Sequence, residues 1–357
     1  MPTLVTGGTG FIGSAVVRRL LAMGRPVVVL ARTPTKAQEL GRLGAKVVDG
    51  DLLDTGSLTR ATAGCRAIVH AAGIPRPASW RKFRAVHVGG TAAVITAGRT
   101  AGAGRMVNIA SQAVLFDGHD LIGVDESHPY PTRFIDPYSA TKAEAERVAL
   151  AANDPAGLSV VSLRPAVVWG PGDTTILPIM VKMARSPMGI PMCGDGSNTE
   201  ATTYIDNLVD AVIAALDTPA VSGPGRAYLI TDGFIISWKE LLSRLVEAAG
   251  VKPRFMRVPT ALAVPGAWML DSVAGALGLP VPLALFGVKS AMTSRRFVTT
   301  RARDELGYVP RVGLEQGLAE LRGWIERMGG AARLVGAARG ASGVRASPVS
   351  ALPNAQD

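Results

Sequence analysis

The feature that most limits the fold of this chain is a rhythm in its first half, where short runs that are apolar throughout alternate with helical patterns. The runs are Leu4-Val5, Pro26–Ala31 (PVVVLA), Lys46–Asp49, Ala67–His70 (AIVH), Arg105–Ala110 (RMVNIA) and Leu158–Leu163 (LSVVSL). Between them the spacing predicts helices over Phe11–Met23, Thr35–Leu43, Leu58–Ala63, Phe83–Arg99 and Pro137–Ala152. Apolar strands separated by helices belong to a parallel sheet covered on both faces. Right-handed crossovers then make a doubly wound α/β sheet the expected topology. After residue 165 Pro and Gly become frequent and the elements shorten. This predicts a smaller mixed α/β region over 166–328, with segments returning to the core formed by 1–165. The tail, 329–357, is rich in Ala, Gly, Ser and Pro around Arg333, Arg339 and Arg345. It lacks periodicity and is expected to be disordered.

Composition narrows the function classes. The 357 residues are 48% hydrophobic and 18% charged, which excludes a mainly disordered chain. Aromatics are only 5%, so Ala, Val and Leu must fill the core. Lys and Arg total 38 against 28 Asp and Glu, a net charge of +10. Such a surplus admits anionic partners. The positives are scattered with no run of five, so nucleic acid is not expected. Cys65 and Cys193 lie far apart with no His cluster, and read as buried small hydrophobes; no metal site is expected. The start, MPTLVTGG, lacks a basic region followed by an apolar stretch, and the expected compartment is the cytoplasm.

Thr6-Gly7-Gly8-Thr9-Gly10-Phe11-Ile12-Gly13 follows the first strand and opens the first helix. Gly7 permits a tight turn, Gly10 lets a pyrophosphate approach the backbone, and Gly13 lets helix and sheet pack closely. The helix N-terminus, at Phe11 and Ile12, offers free N–H groups to phosphates. The second strand ends at Arg32, where NAD-binding chains usually carry an acid. A guanidinium there can meet the 2′-phosphate of NADP, so NADP is expected and NAD left open. Asp51-Leu52 follows the third strand, where adenine would rest. Ala71-Ala72-Gly73 follows the fourth and leaves room for backbone beside a cofactor.

Tyr138 and Lys142 lie four apart near a helix start and share a face. An ammonium beside a phenol favours the phenolate and should lower its pKa from about 10. Ser111, just past the fifth strand, could hydrogen-bond a carbonyl or hydroxyl. Together with GDLLD (50–54), HAAG (70–73), Leu163-Arg164-Pro165, Trp169-Gly170-Pro171-Gly172-Asp173 and Thr203–Asn207, in this order, the chain resembles the extended short-chain dehydrogenase/reductases, also called the NAD-dependent epimerase/dehydratase family. The resemblance runs from residue 2 to about 326. It implies a Rossmann fold and a Ser111–Tyr138–Lys142 site. It also implies that Lys142 binds the nicotinamide ribose, and that Pro165 to Val168 run past the nicotinamide amide. One departure is His87, where relatives usually carry Asn; His87 is not taken as catalytic.

Nucleotide-sugar members carry an Arg just before the strand at Thr202–Ile205. This chain has Asn198-Thr199-Glu200-Ala201 there, and Glu200 should repel a diphosphate. Asp136–Asn153 and Gly194–Asn198 look instead like the 3β-hydroxysteroid dehydrogenase branch. The resemblance thus implies an oxidoreductase of lipophilic alcohols or ketones, of the 3β-hydroxysteroid or long-chain 3-oxo acid type. A sugar-nucleotide epimerase or dehydratase, and a non-catalytic dinucleotide-binding regulator, are the alternatives; a homodimer is left open. The segment Val258–Val288 has one charge, Asp271, and is broken by Pro259, Pro265, Pro280 and Pro282. It does not read as a membrane span. It reads equally as a substrate lid or interfacial surface and as ordinary core helices. Arg254, Arg257, Lys289, Arg295 and Arg296 flank it and could face anionic headgroups in a peripheral membrane contact.

Overall fold

The computed structural model describes residues 1–74, 77–219, 223, 225–279 and 284–341. Pro280, Pro282 and Arg345 lie outside these. Seven parallel strands form the central sheet: β1 (Thr3–Thr6), β2 (Val27–Ala31), β3 (Lys46–Asp49), β4 (Ala67–His70), β5 (Arg105–Ile109), β6 (Ser159–Pro165) and β7 (Arg226–Ile230). Their order is β7-β6-β5-β4-β1-β2-β3. β1 lies between β2 and β4, with Thr6 opposite both Leu30 and His70. The strand order reverses at β1/β4, so a crevice opens beyond the carboxyl ends of those two strands.

The alternation of each strand builds two cores. Val5, Val29, Val69, Val107 and Val161 face one side, against Val16, Val17 and Leu20 of the helix Phe11–Ala22. Leu4, Val28, Ile68, Met106 and Val160 face the other, against Leu58, Val94 and Ala149. Burying both faces explains why the strands read as unbroken apolar runs. β3, at the sheet edge, is the exposed exception.

The predicted helix Phe83–Arg99 spans Trp80–Thr100 but is interrupted by a π-helical turn at Ala85–Gly89. His87 sits in that turn. The smaller region contains short pairs, Ile190–Cys193 with Phe255–Val258 and Val167–Trp169 with Thr202–Tyr204. Buried Asp232 ties it together, accepting from Trp169 Nε1 (2.9 Å), Thr202 Oγ1 (2.7 Å), Tyr204 N (2.6 Å) and Asn207 Nδ2 (2.8 Å).

The expectation of a disordered tail is corrected over 330–341, which form a helix. Leu334 is buried there against a cluster containing Leu177, Val181, Leu321 and Ile325. Leu334, with Ala331 and Val335 beside it, docks this Ala/Gly-rich helix, and so few large apolar residues leave little periodicity to see. Cys65 and Cys193 are both buried and free.

Candidate active site

The Tyr138 helix, Pro137–Ala151, has a strong local start. Asp136 accepts from Ser139 N (2.8 Å) and Ser139 Oγ (2.7 Å), and Pro137 occupies the first turn. Tyr138, Lys142 and Glu146 then fall at i, i+4 and i+8 on one face. Glu146 is buried and takes the Arg164 guanidinium (2.9 Å), the Tyr130 hydroxyl (2.8 Å) and the Ser162 hydroxyl (2.7 Å). This clamps the helix to β6.

Ser111 lies two residues past β5 and caps a short helix, Gln112–Leu115, its Oγ accepting from Ala113 N at 3.2 Å. Its hydroxyl also acts on the Tyr138 phenol, favouring the ionised form. Lys142 Nζ donates to Ile109 O at 2.6 Å. All three predicted catalytic residues therefore converge at the carboxyl end of β5. Their electrostatics differ from expectation. Burial pushes the Tyr138 phenol up, the Ser111 hydrogen bond opposes this, and nearby Asp136 adds to it. Burial also brings Lys142 down to about 8, with Glu146 holding it up. Desolvation thus outweighs the Ser111 contact, and the phenol lies above its ordinary range, where a lowered one was expected. Its ring meets Phe83 (6.3 Å between centroids), His87 (5.7 Å) and Phe286 (6.1 Å) edge-on.

His87 was legible only as a departure from the family pattern. The Ile74 N–H donates to its Nε2 (3.1 Å), so the ring proton lies on Nδ1, which faces Thr141 Oγ1 at 2.9 Å. Thr141 in turn donates to Pro137 O at 2.7 Å. Burial, then the Lys142 charge, lowers the His87 pKa to about 3, so the ring is neutral. It links the first turn of the Tyr138 helix to the segment after β4.

The glycine turn fits a dinucleotide. Gly7 has φ +72°, and a Cβ there would lie 2.7 Å from the Ala71–Ala72 backbone. A Cβ on Gly13 would overlap the Gly7 carbonyl. Gly10 N donates to Gly7 O (2.9 Å), and no side chain caps the helix beginning at Phe11. Its first N–H groups thus remain available to phosphates. Phe11 and Ile12 turn partly inward. Arg32 is exposed, its guanidinium 3.9 Å from the Asp51 carboxylate. Asp51 already accepts from Leu53 N at 2.8 Å. Leu52 is buried in the core. Ala71, Ala72 and Gly73 follow β4 beside the turn. Pro165 is buried at the end of β6, while Val168 is half-buried and pairs with Thr203.

Two expectations about charge are corrected. Glu200 does not face a ligand as a free acid: it is buried and paired with Arg295, which the loop pairing Arg295–Phe297 with Leu121–Val124 brings in. Burial raises the Glu200 pKa to about 7, against the pull of Arg295. Arg295 is therefore not available to headgroups, and repulsion by Glu200 is no argument against a diphosphate.

A doubly wound sheet with an open glycine turn at its switch point, and a Ser–Tyr–Lys cluster beside it, defines a dinucleotide-dependent oxidoreductase class. Residues 4–260 match the 3-beta hydroxysteroid dehydrogenase/isomerase family, and the chain belongs to it as an NAD(P)-dependent dehydrogenase/reductase. It is 35% identical over 331 residues to a Stigmatella aurantiaca 4-hydroxy-2-methyl-3-oxo-4-farnesyl-3,4-dihydroquinoline-1-oxide ketoreductase, covering 90% of this chain and 96% of that one. It is 36% identical over 337 residues to a 2-alkyl-3-oxoalkanoate reductase of Stenotrophomonas maltophilia, covering 90% and 98%. Among solved structures, a dTDP-glucose 4,6-dehydratase from Streptomyces venezuelae with NAD bound is similar, with TM-score 0.72, 27% identity and coverage of 92% and 98%. No helix among the described residues is long and apolar enough to cross a membrane.

Proposed function

We propose that this protein reduces a ketone on a lipophilic substrate, of the long-chain 3-oxo acid or 3-oxosteroid type, using NADPH. The observation that carries the reading is the Tyr138 ring, walled edge-on by Phe83 and Phe286 with Ser111 acting on its phenol. An apolar aromatic wall suits an apolar substrate body, and the names of the two relatives support the same class. When bound, the cofactor supplies the hydride. Tyr138 gives its proton to the carbonyl oxygen. Ser111 donates a hydrogen bond to that oxygen and polarises it. The Lys142 ammonium, four residues on along the same helix face, stabilises the charge left on the phenol. The Gly7–Gly13 turn holds the pyrophosphate, Arg32 the 2′-phosphate, and Asp51, Ala71–Gly73 and Pro165–Val168 line the remaining length.

The test is a series of 3-oxo compounds of rising chain length, compared by kcat/KM with NADPH and with NADH. Each buried methylene is worth about 0.8 kcal/mol, so efficiency should climb several-fold per carbon until the pocket fills. A flat profile, or efficient turnover of a UDP-hexose, would reject the reading and favour the sugar-nucleotide branch.

A further inference from the structure

The ring Phe286 is carried to Tyr138 by a helix too short to hold itself. It belongs to Ala284–Ser290, seven residues, and a helix of that length is marginal without partners. Phe286 meets Tyr138 at 6.1 Å and Phe116 at 5.9 Å between centroids, both edge-on. An acid near each end fixes the helix, one directly and one through an arginine. At its start Asp271 accepts from Ala284 N (3.0 Å) and Leu285 N (2.8 Å). At its end the Ser290 carbonyl accepts from Arg295 Nη2 at 2.9 Å, and the Ser290 hydroxyl from Nη1 at 3.3 Å. The same Nη2 donates to Glu200.

The second tie joins three pieces of the chain. Glu200 and Arg295 are 1% and 3% exposed. Glu200 also accepts from Nε2 of Gln112, the residue after Ser111, at 3.4 Å. The Arg295 guanidinium lies 5.1 Å from the centroid of Phe116, the ring that Phe286 meets. Neighbouring contacts are uncharged: Asn198 Nδ2 donates to Thr293 O (2.9 Å) and Thr199 N to Ser294 Oγ (3.2 Å). These hold residues 293 and 294, whereas the Arg295 side chain reaches back to the end of the Phe286 helix.

A buried ion pair is sensitive to its charges, because losing one leaves the other buried and uncompensated. Burial has raised the Glu200 carboxyl to about 7, against the pull of Arg295. Arg295 is the only charge acting on it among the described residues; Gln112 and the paired strand Ile236–Ser237 bring none. As pH falls through about 7 the carboxyl takes up a proton and the guanidinium loses its counter-charge. The tie is therefore strong above that pH and weak below it.

We infer that Glu200 and Arg295 are positioning residues: their ion pair latches the Phe286 helix against Tyr138 and so sets how tightly the site grips the apolar body of a substrate. The latch stands on these contacts; its effect on turnover rests on the function proposed above.

Hydrogen–deuterium exchange of the full-length protein, without substrate, reads the latch directly. Glu200→Gln keeps the size and hydrogen-bonding of the side chain but removes its charge. It should speed exchange over 284–297 several-fold and leave β1 to β6 unchanged. Arg295→Met should do the same, and Arg295→Lys should restore part of the protection. Kinetics read the consequence. With a long-chain ketone that carries no ionising group, Glu200→Gln should raise KM roughly fifteenfold, as if about two methylenes had lost their cover, with kcat within about twofold. With a short ketone KM should hardly move. In the unaltered protein the long-chain KM should rise as pH falls below about 7, and Glu200→Gln should lack this step. A merely structural pair would give no such step. Should a variant not fold, exchange of the unaltered protein at about pH 6 and about pH 8, corrected for intrinsic rates, makes the same comparison, with lower protection over 284–297 expected at the lower pH. Unchanged exchange over 284–297 would overturn the latch. So would faster exchange spread equally over β1 to β6, or a pH step in KM that survives Glu200→Gln. Faster exchange over 284–297 without reduction of any ketone would uphold the latch and overturn only the proposed reaction.

Discussion

Lys142 sits where burial brings its pKa down to about 8, so its charge is lost within an accessible pH range. If the ammonium is the working form, kcat should fall as pH rises through about 8, and Lys142→Met should have a low rate lacking that step. Stability should run the other way. Between about 8 and the ordinary lysine value of 10.5 the unfolded chain holds the proton that the folded one has shed, so stability increases with pH there. Tyr138→Phe removes the proton donor and should lower the rate by about 10²–10⁴ while cofactor binding, followed by fluorescence titration, stays nearly intact. Arg32→Asp should cost about 2–3 kcal/mol in NADPH affinity, roughly 30- to 150-fold, with little loss for NADH. If the unaltered protein binds both equally, Arg32 has no such role.

At the scale of elements, two histidines bind the pieces around the site. His70 and His87 are both buried, with pKa values lowered to about 3 chiefly by desolvation. Below the ordinary value of 6.5 the unfolded chain takes up protons that these rings refuse, so stability should decline as pH falls from there toward 3. Denaturant midpoints across acidic pH should show this slope, and His87→Asn should reduce it. The strands and the start of the Tyr138 helix were legible because each carries its own signal: unbroken apolar runs, and the Asp136-Pro137 cap ahead of Tyr138-x-x-x-Lys142. What was illegible depends on partners distant in sequence. Glu200 reads as a free acid until the fold brings Arg295 to it from 95 residues away. The π-turn leaves no mark on the Trp80–Thr100 pattern, since one inserted residue per turn changes neither composition nor length enough to notice. His70 is a packed structural residue, held at 2.7 Å by Thr6 and at 3.1 Å by Thr91.

On the scale of the whole molecule, the helix Gly330–Ala341 closes one end of the smaller region, with Leu334 1% exposed. Leu334→Ala should therefore lower stability by about 2–5 kcal/mol, as for other buried leucines, and calorimetry should show a reduced Tm. An unchanged Tm would mean that the segment contributes no packing. The sheet itself has a further consequence for how the chain is made. β7, residues 226–230, supplies the outermost strand beside β6, so the sheet begun at Thr3 is finished only after the chain has left it and travelled through the smaller region. During synthesis, the β6 edge stands open until some sixty further residues have emerged, a few seconds at ribosomal speed. For that interval an apolar strand presents unpaired N–H and C=O groups to whatever is near. A fragment ending at Pro165 would be held permanently in that state, and a nascent chain passes through it every time.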